Sequence, residues 1–165
     1  MNKPFVLATA IASLLVTEVS RGADLYWDGT GNVWDTPGNW STVAGATTPN
    51  PAAAPGAADI AIFSAVDITS NRTITLNADQ TVLGISTTTA NKAFMTLVGS
   101  AGDRVLSIGT QGINHLAGGL DLGSESQPLE IKLLGSQTWN SSSSNTTNAR
   151  AIFAFGGISL GVSGN

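Results

Sequence analysis

Short runs that alternate apolar with small or polar residues recur along the chain after residue 58. Each run is about four to six residues long, and Gly, Asn, Asp or Ser separates it from the next. No run reaches the roughly 10–12 residues at helical spacing that would indicate a helix. The pattern predicts an all-β chain with almost no helix, and its strands at residues 59–63, 73–76, 81–86, 94–98, 105–108, 119–122, 129–134, 151–155 and 158–162.

Two architectures accommodate many short strands, a parallel β-helix and an antiparallel β-sandwich. The strands are very short, and the turns between them contain single Gly and Asn residues, which accept left-handed corners. Dipeptides typical of tight hairpins are mostly missing. These features favour the parallel β-helix, in which successive coils stack on one another. The antiparallel sandwich remains the alternative.

Residues 1–22 have the pattern of a secretory signal peptide. Lys3 supplies the positive start, and residues 5–16 (FVLATAIASLLV) form an apolar segment that is too short to span a bilayer. Small residues follow at Ser20 and Gly22, which predicts cleavage after Gly22. Cleavage one residue later would place Arg21 at the position where a small residue is preferred. We expect the chain to be exported.

Residues 23–64 form a separate unit in the sequence, ahead of the predicted β-helix rungs at residues 65–165. Three of the four Trp residues lie in this unit, among Gly, Asn, Asp and Pro residues that favour turns. A short strand is predicted at residues 25–27. Residues 41–58 are rich in Pro and Ala and poor in bulky side chains, so they are predicted to form an extended surface loop.

Trp27, Trp34 and Trp40 are the candidate binding residues, and two interpretations compete for them. Their flat faces would suit stacking against the apolar faces of sugars. Alternatively, they would pack together as a hydrophobic cap that closes the end of the β-helix, since the terminal coils of a solenoid need covering. The cap is the favoured interpretation.

Composition excludes several functions. Only 11% of the residues are charged, the net charge is −4, and basic residues are scattered singly. Nucleic-acid binding requires clustered Lys and Arg, so no nucleic-acid partner is expected. There is no Cys, which excludes disulfides and thiolate chemistry.

No catalytic or metal site is predicted, and no cofactor. Asp28, Asn32 and Asp35 offer oxygen ligands, but their spacing fits no calcium-binding loop, so turn formation is the better account. His115 is the only His and is expected at the surface or in a turn. The acidic residues lie singly among predicted turns and form no pair suited to acid–base catalysis. The chain is therefore predicted not to be an enzyme.

Four stretches resemble one bacterial family. They are LYWDGTGNVWDTPGNW at residues 25–40, TPNPAAAPGAADIAIF at 48–63, ITLNADQTVLGI at 74–85, and the segment from QTW at 137–139 to the Gly-rich end at 156–165. The chain is similar to the N-terminal region of proteins with autotransporter-associated β-strand repeats, also called passenger-associated transport repeats. The resemblance implies an exported, right-handed parallel β-helix with no catalytic residues. No complete repeat is present, so the chain is expected to be an N-terminal fragment.

Three functions follow as hypotheses. The first is a structural or adhesive region, an adhesin-like passenger that is secreted or displayed at the cell surface or outer membrane. The second is a carbohydrate-binding module that uses the Trp residues, with polysaccharide or cell-surface components as partners. The third is the N-terminal part of a polysaccharide-active β-helix protein whose site lies beyond Asn165. Self-association through an open C-terminal rung is also expected, and no transmembrane helix is expected in the mature chain.

Overall fold

The computed structural model describes residues 21–64, 70–88, 93–100, 104–141 and 153–155, the last three and Ser141 by their backbone only. Most of the predicted signal peptide and the predicted strand at 158–162 lie outside these residues.

Strands dominate the described part of the chain, and one 3-10 turn at Pro37–Asn39 is the only helical element there. The all-β prediction agrees with this content. The strands are β1 Asp24–Trp27, β2 Trp40–Ser41, β3 Ile60–Phe63, β4 Arg72–Leu76, β5 Gln80–Thr87, β6 Phe94–Gly99, β7 Arg104–His115, β8 Gly119–Leu122, β9 Leu129–Leu133, β10 Trp139–Ser141 and β11 Phe153–Phe155.

The strands form two sheets, and nearly all of their pairings are parallel. The first sheet has the order β10-β7-β5-β3-β1-β2, with β9 also paired to β7. The second has the order β11-β8-β6-β4. Among the described residues eight of nine pairings are parallel, and only β1 with β2 is antiparallel. These pairings disagree with the antiparallel alternative.

Paired residues recur at a similar distance along the chain. In the first sheet the partners Ala61 and Ile85 are 24 residues apart, Ile85 and Ile113 are 28 apart, and Ile113 and Trp139 are 26 apart. Between β3 and β8 the chain alternates between the sheets, apart from the Ser41-to-Ile60 loop and the β9–β10 segment. Each strand is therefore added beside the strand that the chain formed about 25 residues earlier.

β7 is longer than predicted because it continues through a corner. Its first half pairs with β9 and its second half with β10. Between these halves β7 has residues 109–111, where the neighbouring β5 has Leu83 alone. Gly112 follows with φ +61°, and a Cβ atom there would lie 2.2 Å from the carbonyl oxygen of Thr138. A sequence that looks like a turn is thus a bend inside one strand.

The core lies between the sheets and is built from columns of stacked apolar side chains. Inward positions alternate with outward ones along each strand, as the period-two pattern predicts. Stacking of like residues at each level buries them from water without large gaps. One column contains Leu25, Ala61, Ile85 and Ile113, and the facing sheet contributes Ile74, Leu97 and Leu122.

Two strands were not predicted. Residues 136–148 are expected to form a polar loop, but β10 occupies Trp139–Ser141 within them, and residues 142–148 lie outside the described chain. β2 is only two residues long and begins inside the predicted loop at 41–58. Both strands form because an existing neighbour offers backbone partners, which a local sequence pattern does not reveal. In the described ranges no helix is long and apolar enough to cross a lipid bilayer.

Candidate functional site

The three N-terminal Trp residues form one buried aromatic cluster with Phe63. Trp34 and Trp40 meet edge to face with ring centroids 5.0 Å apart, and Phe63 lies 5.9–6.3 Å from all three indoles. Trp34 and Trp40 are fully buried and Trp27 is 1% exposed. Such tilted and edge-to-face contacts add to the stability gained from burying large rings.

The backbone around the cluster is held by the next part of the chain. Trp34 N donates to Thr75 O at 2.9 Å, and Thr75 N donates to Asn32 O at 2.8 Å, so the segment around Val33 pairs with β4. The indole of Trp40 donates to Trp34 O at 2.8 Å. The Gly- and Asn-rich sequence between the indoles is what allows the chain to turn back on itself here.

The burial of the indoles favours packing over sugar stacking. A sugar needs an open aromatic face, and each of these faces contacts other core side chains or lies in the closed interior. Trp27, Trp34 and Trp40 are brought together as the sequence suggests, but they lie inside the protein. Binding at these residues would require the core to open.

Asp28, Asn32 and Asp35 do not form a cation site. An oxygen of Asp28 accepts hydrogen bonds from the Thr30 backbone and hydroxyl at 2.8 and 2.7 Å. Both oxygens of Asp35 are engaged, one by the Asn77 backbone at 2.8 Å and the other by the Gln80 side chain. Among the described residues no group of three or more His, Cys, Asp or Glu is placed to hold a metal ion.

Two other aspartates bind backbone N–H groups of neighbouring segments. Asp79 accepts from Val105 N at 3.1 Å. Asp59 accepts from Ala23 N at 2.8 Å and from Gly56 N at 3.0 Å. Asp35, Asp59 and Asp79 thus share a structural role, since each carboxylate ties together parts of the chain that are far apart in sequence. A carboxylate held in this way satisfies donors that would otherwise remain unpaired at the corners.

His115 lies in the core, so the prediction that it lies at the surface or in a turn is wrong. It ends β7 and is 3% exposed, stacked in register on Thr87, which is fully buried. Burial lowers the pKa of His115, and a hydrogen bond with the Gly118 backbone opposes part of that decrease. The residue was missed because its inward position depends on the bend in β7.

The open face of the first sheet carries a shallow polar groove. It has a volume of about 250 Å³. Ile60, Ile62 and Gly84 line it together with the polar residues Ser86, Gln111 and Asn114, and Arg21 and Asp24 form an ion pair at one end. Asn140 continues the same outward column and donates a hydrogen bond to the Asn114 side chain at 3.2 Å. The groove thus combines an apolar base with uncharged amide and hydroxyl groups.

On the facing sheet, Asp121 lies opposite Thr96 in register. Partial burial raises the pKa of Asp121, and a hydrogen bond with the Thr96 side chain opposes the increase. Asp121 is the described carboxylate with a shifted pKa, but no second described acidic residue stands beside it to complete an acid–base pair.

Comparison of the chain with protein-family models, with curated proteins and with solved structures found no match. Function is therefore inferred from the residues of this chain alone.

Proposed function

We propose that the chain is a non-catalytic structural region of an exported bacterial protein, folded as a right-handed parallel β-helix. The observation that carries the proposal is the repeated parallel pairing at intervals of about 25 residues in both sheets. A chain that adds each strand beside the strand one coil earlier builds a rod whose contacts are mainly between neighbouring coils.

The placement of the charged residues supports a structural rather than a catalytic role. Asp35, Asp59 and Asp79 use their carboxylates to accept backbone N–H groups at the corners. A general acid or base needs a carboxyl group that faces the substrate and exchanges protons with it. The surface between the corners is mainly uncharged, which suits extended contact at a cell surface.

The stacking of coils is tested by disulfide cross-linking, because the chain contains no Cys. Ser86 and Asn114 are register partners on the outer face of the first sheet, and parallel neighbours lie about 4.8 Å apart. We expect the S86C/N114C chain to form an intramolecular disulfide readily on mild oxidation. The control is Y26C/N140C, whose two residues occupy opposite ends of the same column. Equal cross-linking of both pairs would contradict the stack.

Export is tested by expressing residues 1–165 in a Gram-negative host. We expect a product outside the cytoplasm whose intact mass corresponds to a chain that begins at Ala23. Leu14→Arg places a charge in the apolar segment of the predicted signal peptide and should leave the unprocessed chain in the cytoplasm. Export of the Leu14→Arg chain to the same extent would argue against a signal peptide.

A second candidate function is weak binding of neutral polysaccharide along the groove of the first sheet. The specific observation is the apolar base at Ile60 and Ile62 flanked by the Gln111 and Asn114 amides, a combination that suits sugar rings and hydroxyls. If the groove binds, titration of neutral glycans should give an affinity that Gln111→Ala with Asn114→Ala abolishes. Asn77→Ala, an exposed amide away from the groove, should leave binding unchanged. Binding that survives the double substitution would exclude this site.

A further inference from the structure

The Asp59 carboxylate lies where the processed chain would begin. One of its oxygens accepts a hydrogen bond from Ala23 N at 2.8 Å, and the other accepts from Gly56 N at 3.0 Å. Two further backbone bonds hold the same point, from Ile60 N to Ala23 O at 3.0 Å and from Gly22 N to Ala58 O at 2.8 Å. The nitrogen of Ala23 is thus fixed against a carboxylate at the start of β1.

Ala23 is also the residue that follows the predicted cleavage site. In the precursor its nitrogen is a peptide amide. On hydrolysis, water adds to the Gly22 carbonyl carbon and the Gly22–Ala23 C–N bond breaks. Gly22 leaves as a carboxylate, and the Ala23 amine takes up a proton to become an ammonium group. A neutral donor thereby becomes a charged donor at the same position, and hydrogen bonds between charged groups are markedly stronger.

We propose that removal of the signal peptide converts the Ala23–Asp59 hydrogen bond into an ion pair that fastens β1 to the rest of the fold. The proposal rests on the export proposed above. It gives processing a structural consequence, because the cleavage that releases the chain also creates its N-terminal anchor. The same cleavage removes the Arg21–Asp24 ion pair and the Gly22–Ala58 hydrogen bond, so the new pair replaces contacts that the precursor loses.

Gly22 is suited to this position for a steric reason. A Cβ atom at residue 22 would lie 2.3 Å from the Asp59 oxygen that binds Ala23. Any larger residue in the precursor would push the carboxylate away from the nitrogen that it is to bind. The small residue that the predicted cleavage needs is therefore also the residue that lets Asp59 wait in place.

The other charged groups near the new ammonium are few. Asp24 is the next residue, and Tyr26 and Thr42 line the same open depression beside Ala23. The strands that pack against β1, namely β2 and β3, contain no ionisable side chain. Arg21 also lines this depression but leaves with the signal peptide. Asp24 is thus the one competing carboxylate to control for.

The test compares a chain of residues 23–165 with a free amino terminus and the same chain with an acetylated amino terminus. Acetylation restores a neutral N–H donor like that of the precursor, so both forms retain the hydrogen bond. We expect the free chain to have at least a tenfold larger folding equilibrium constant near pH 7. We also expect NMR to give an Ala23 α-amino pKa at least one unit above the ordinary range of about 7.7–8.0.

The pH dependence gives a second readout. A group whose pKa is higher in the folded state stabilises the fold fully below its unfolded pKa, and that stability is lost as the pH rises through the folded pKa. The free chain should therefore lose its advantage over the acetylated chain at alkaline pH. Asp59→Asn should abolish the advantage at all pH values, whereas Asp24→Asn should leave most of it.

The outcomes separate this proposal from the one on which it rests. An α-amino pKa within its ordinary range, or equal stability of the free and acetylated chains, would overturn the ion pair even if the protein is exported. An exported product that begins at a residue other than Ala23 would overturn the role of processing, whatever the chain of residues 23–165 shows. The cysteine cross-links test the stacked fold independently of both.

Discussion

Thr87 is a polar residue in the core whose hydroxyl organises the corner after β7. It is fully buried, and its oxygen accepts hydrogen bonds from Leu116 N at 2.8 Å and Ala117 N at 3.2 Å. Thr87→Val keeps the shape but removes the acceptor, which leaves two backbone donors without it. We expect a loss of about 1–3 kcal/mol in the free energy of unfolding, measured by urea denaturation. Thr73→Val, on an exposed position of β4, should change it by less than about 0.5 kcal/mol.

His115 should make the fold sensitive to mild acid. Because burial lowers its pKa in the folded state, the unfolded chain binds a proton more readily below the ordinary value of 6.5. Stability is thus complete above about that pH and falls as the pH decreases below it. Denaturation between pH 7.5 and 5.5 should show this decline, and His115→Gln should flatten it.

The decline can be assigned to His115 because the chain has no other His. The raised pKa of Asp121 acts in the opposite direction, since a carboxyl group that is harder to ionise when folded favours the fold as the pH falls. A slope that persists unchanged in His115→Gln would show that the buried imidazole is not responsible.

At the scale of one strand, Gly112 permits the bend of β7. Its φ is +61°, and a Cβ atom would overlap the Thr138 backbone. Gly112→Ala should therefore disrupt the pairing of β7 with β10 and destabilise the fold by clearly more than the backbone strain alone. Gly45 is the matched control, because it has φ +70° with nothing within 4 Å of its Cβ position. Gly45→Ala should lose only about 1–2 kcal/mol, and equal losses in thermal or urea unfolding would contradict the steric argument.

The sequence predicted individual strands well where alternation was regular. Residues 119–122 were predicted as a strand and form β8, and the predicted strands at 73–76 and 81–86 lie within β4 and β5. It failed where a strand depends on a distant partner. β10 contains Trp139 and two polar residues, and it forms because β7 offers a free edge one coil earlier. The register that brings Thr87 beside His115 likewise depends on the two extra residues in β7, which alternation cannot count.

For the candidate site, the sequence identified the Trp cluster but not its surroundings. Trp27, Trp34 and Trp40 were singled out, and Phe63, which contacts all three, was noted only as part of a strand. The groove was not foreseen, because Ile62, Ser86 and Asn114 become neighbours only when three coils stack. The Asp59 contact with Ala23 joins residues 36 apart in sequence, a distance at which local patterns carry no information.

At the scale of the whole molecule, the aromatic cluster closes one end of the stack. Trp34→Ala removes a fully buried side chain from this end, and we expect a loss of about 3–5 kcal/mol. Because contacts in a stack are mainly between neighbouring coils, amide exchange should increase in β1, β2 and β3 and change little in β8 and β9. Val43→Ala, an exposed apolar residue of the same region, should alter exchange nowhere. A uniform increase along the chain would mean that the fold responds as one unit.

The segment between β2 and β3 leaves the stack and returns to it. Its base is fastened by hydrogen bonds from the Thr42 backbone and hydroxyl to Pro49 O, while Ala54 and Pro55 pack back toward the body. The tip around Gly45 touches nothing. Extra sequence spliced in at that tip would hang outside the rod like a flag on a pole, so descendants of this chain can acquire new surface epitopes without rebuilding a single floor beneath them.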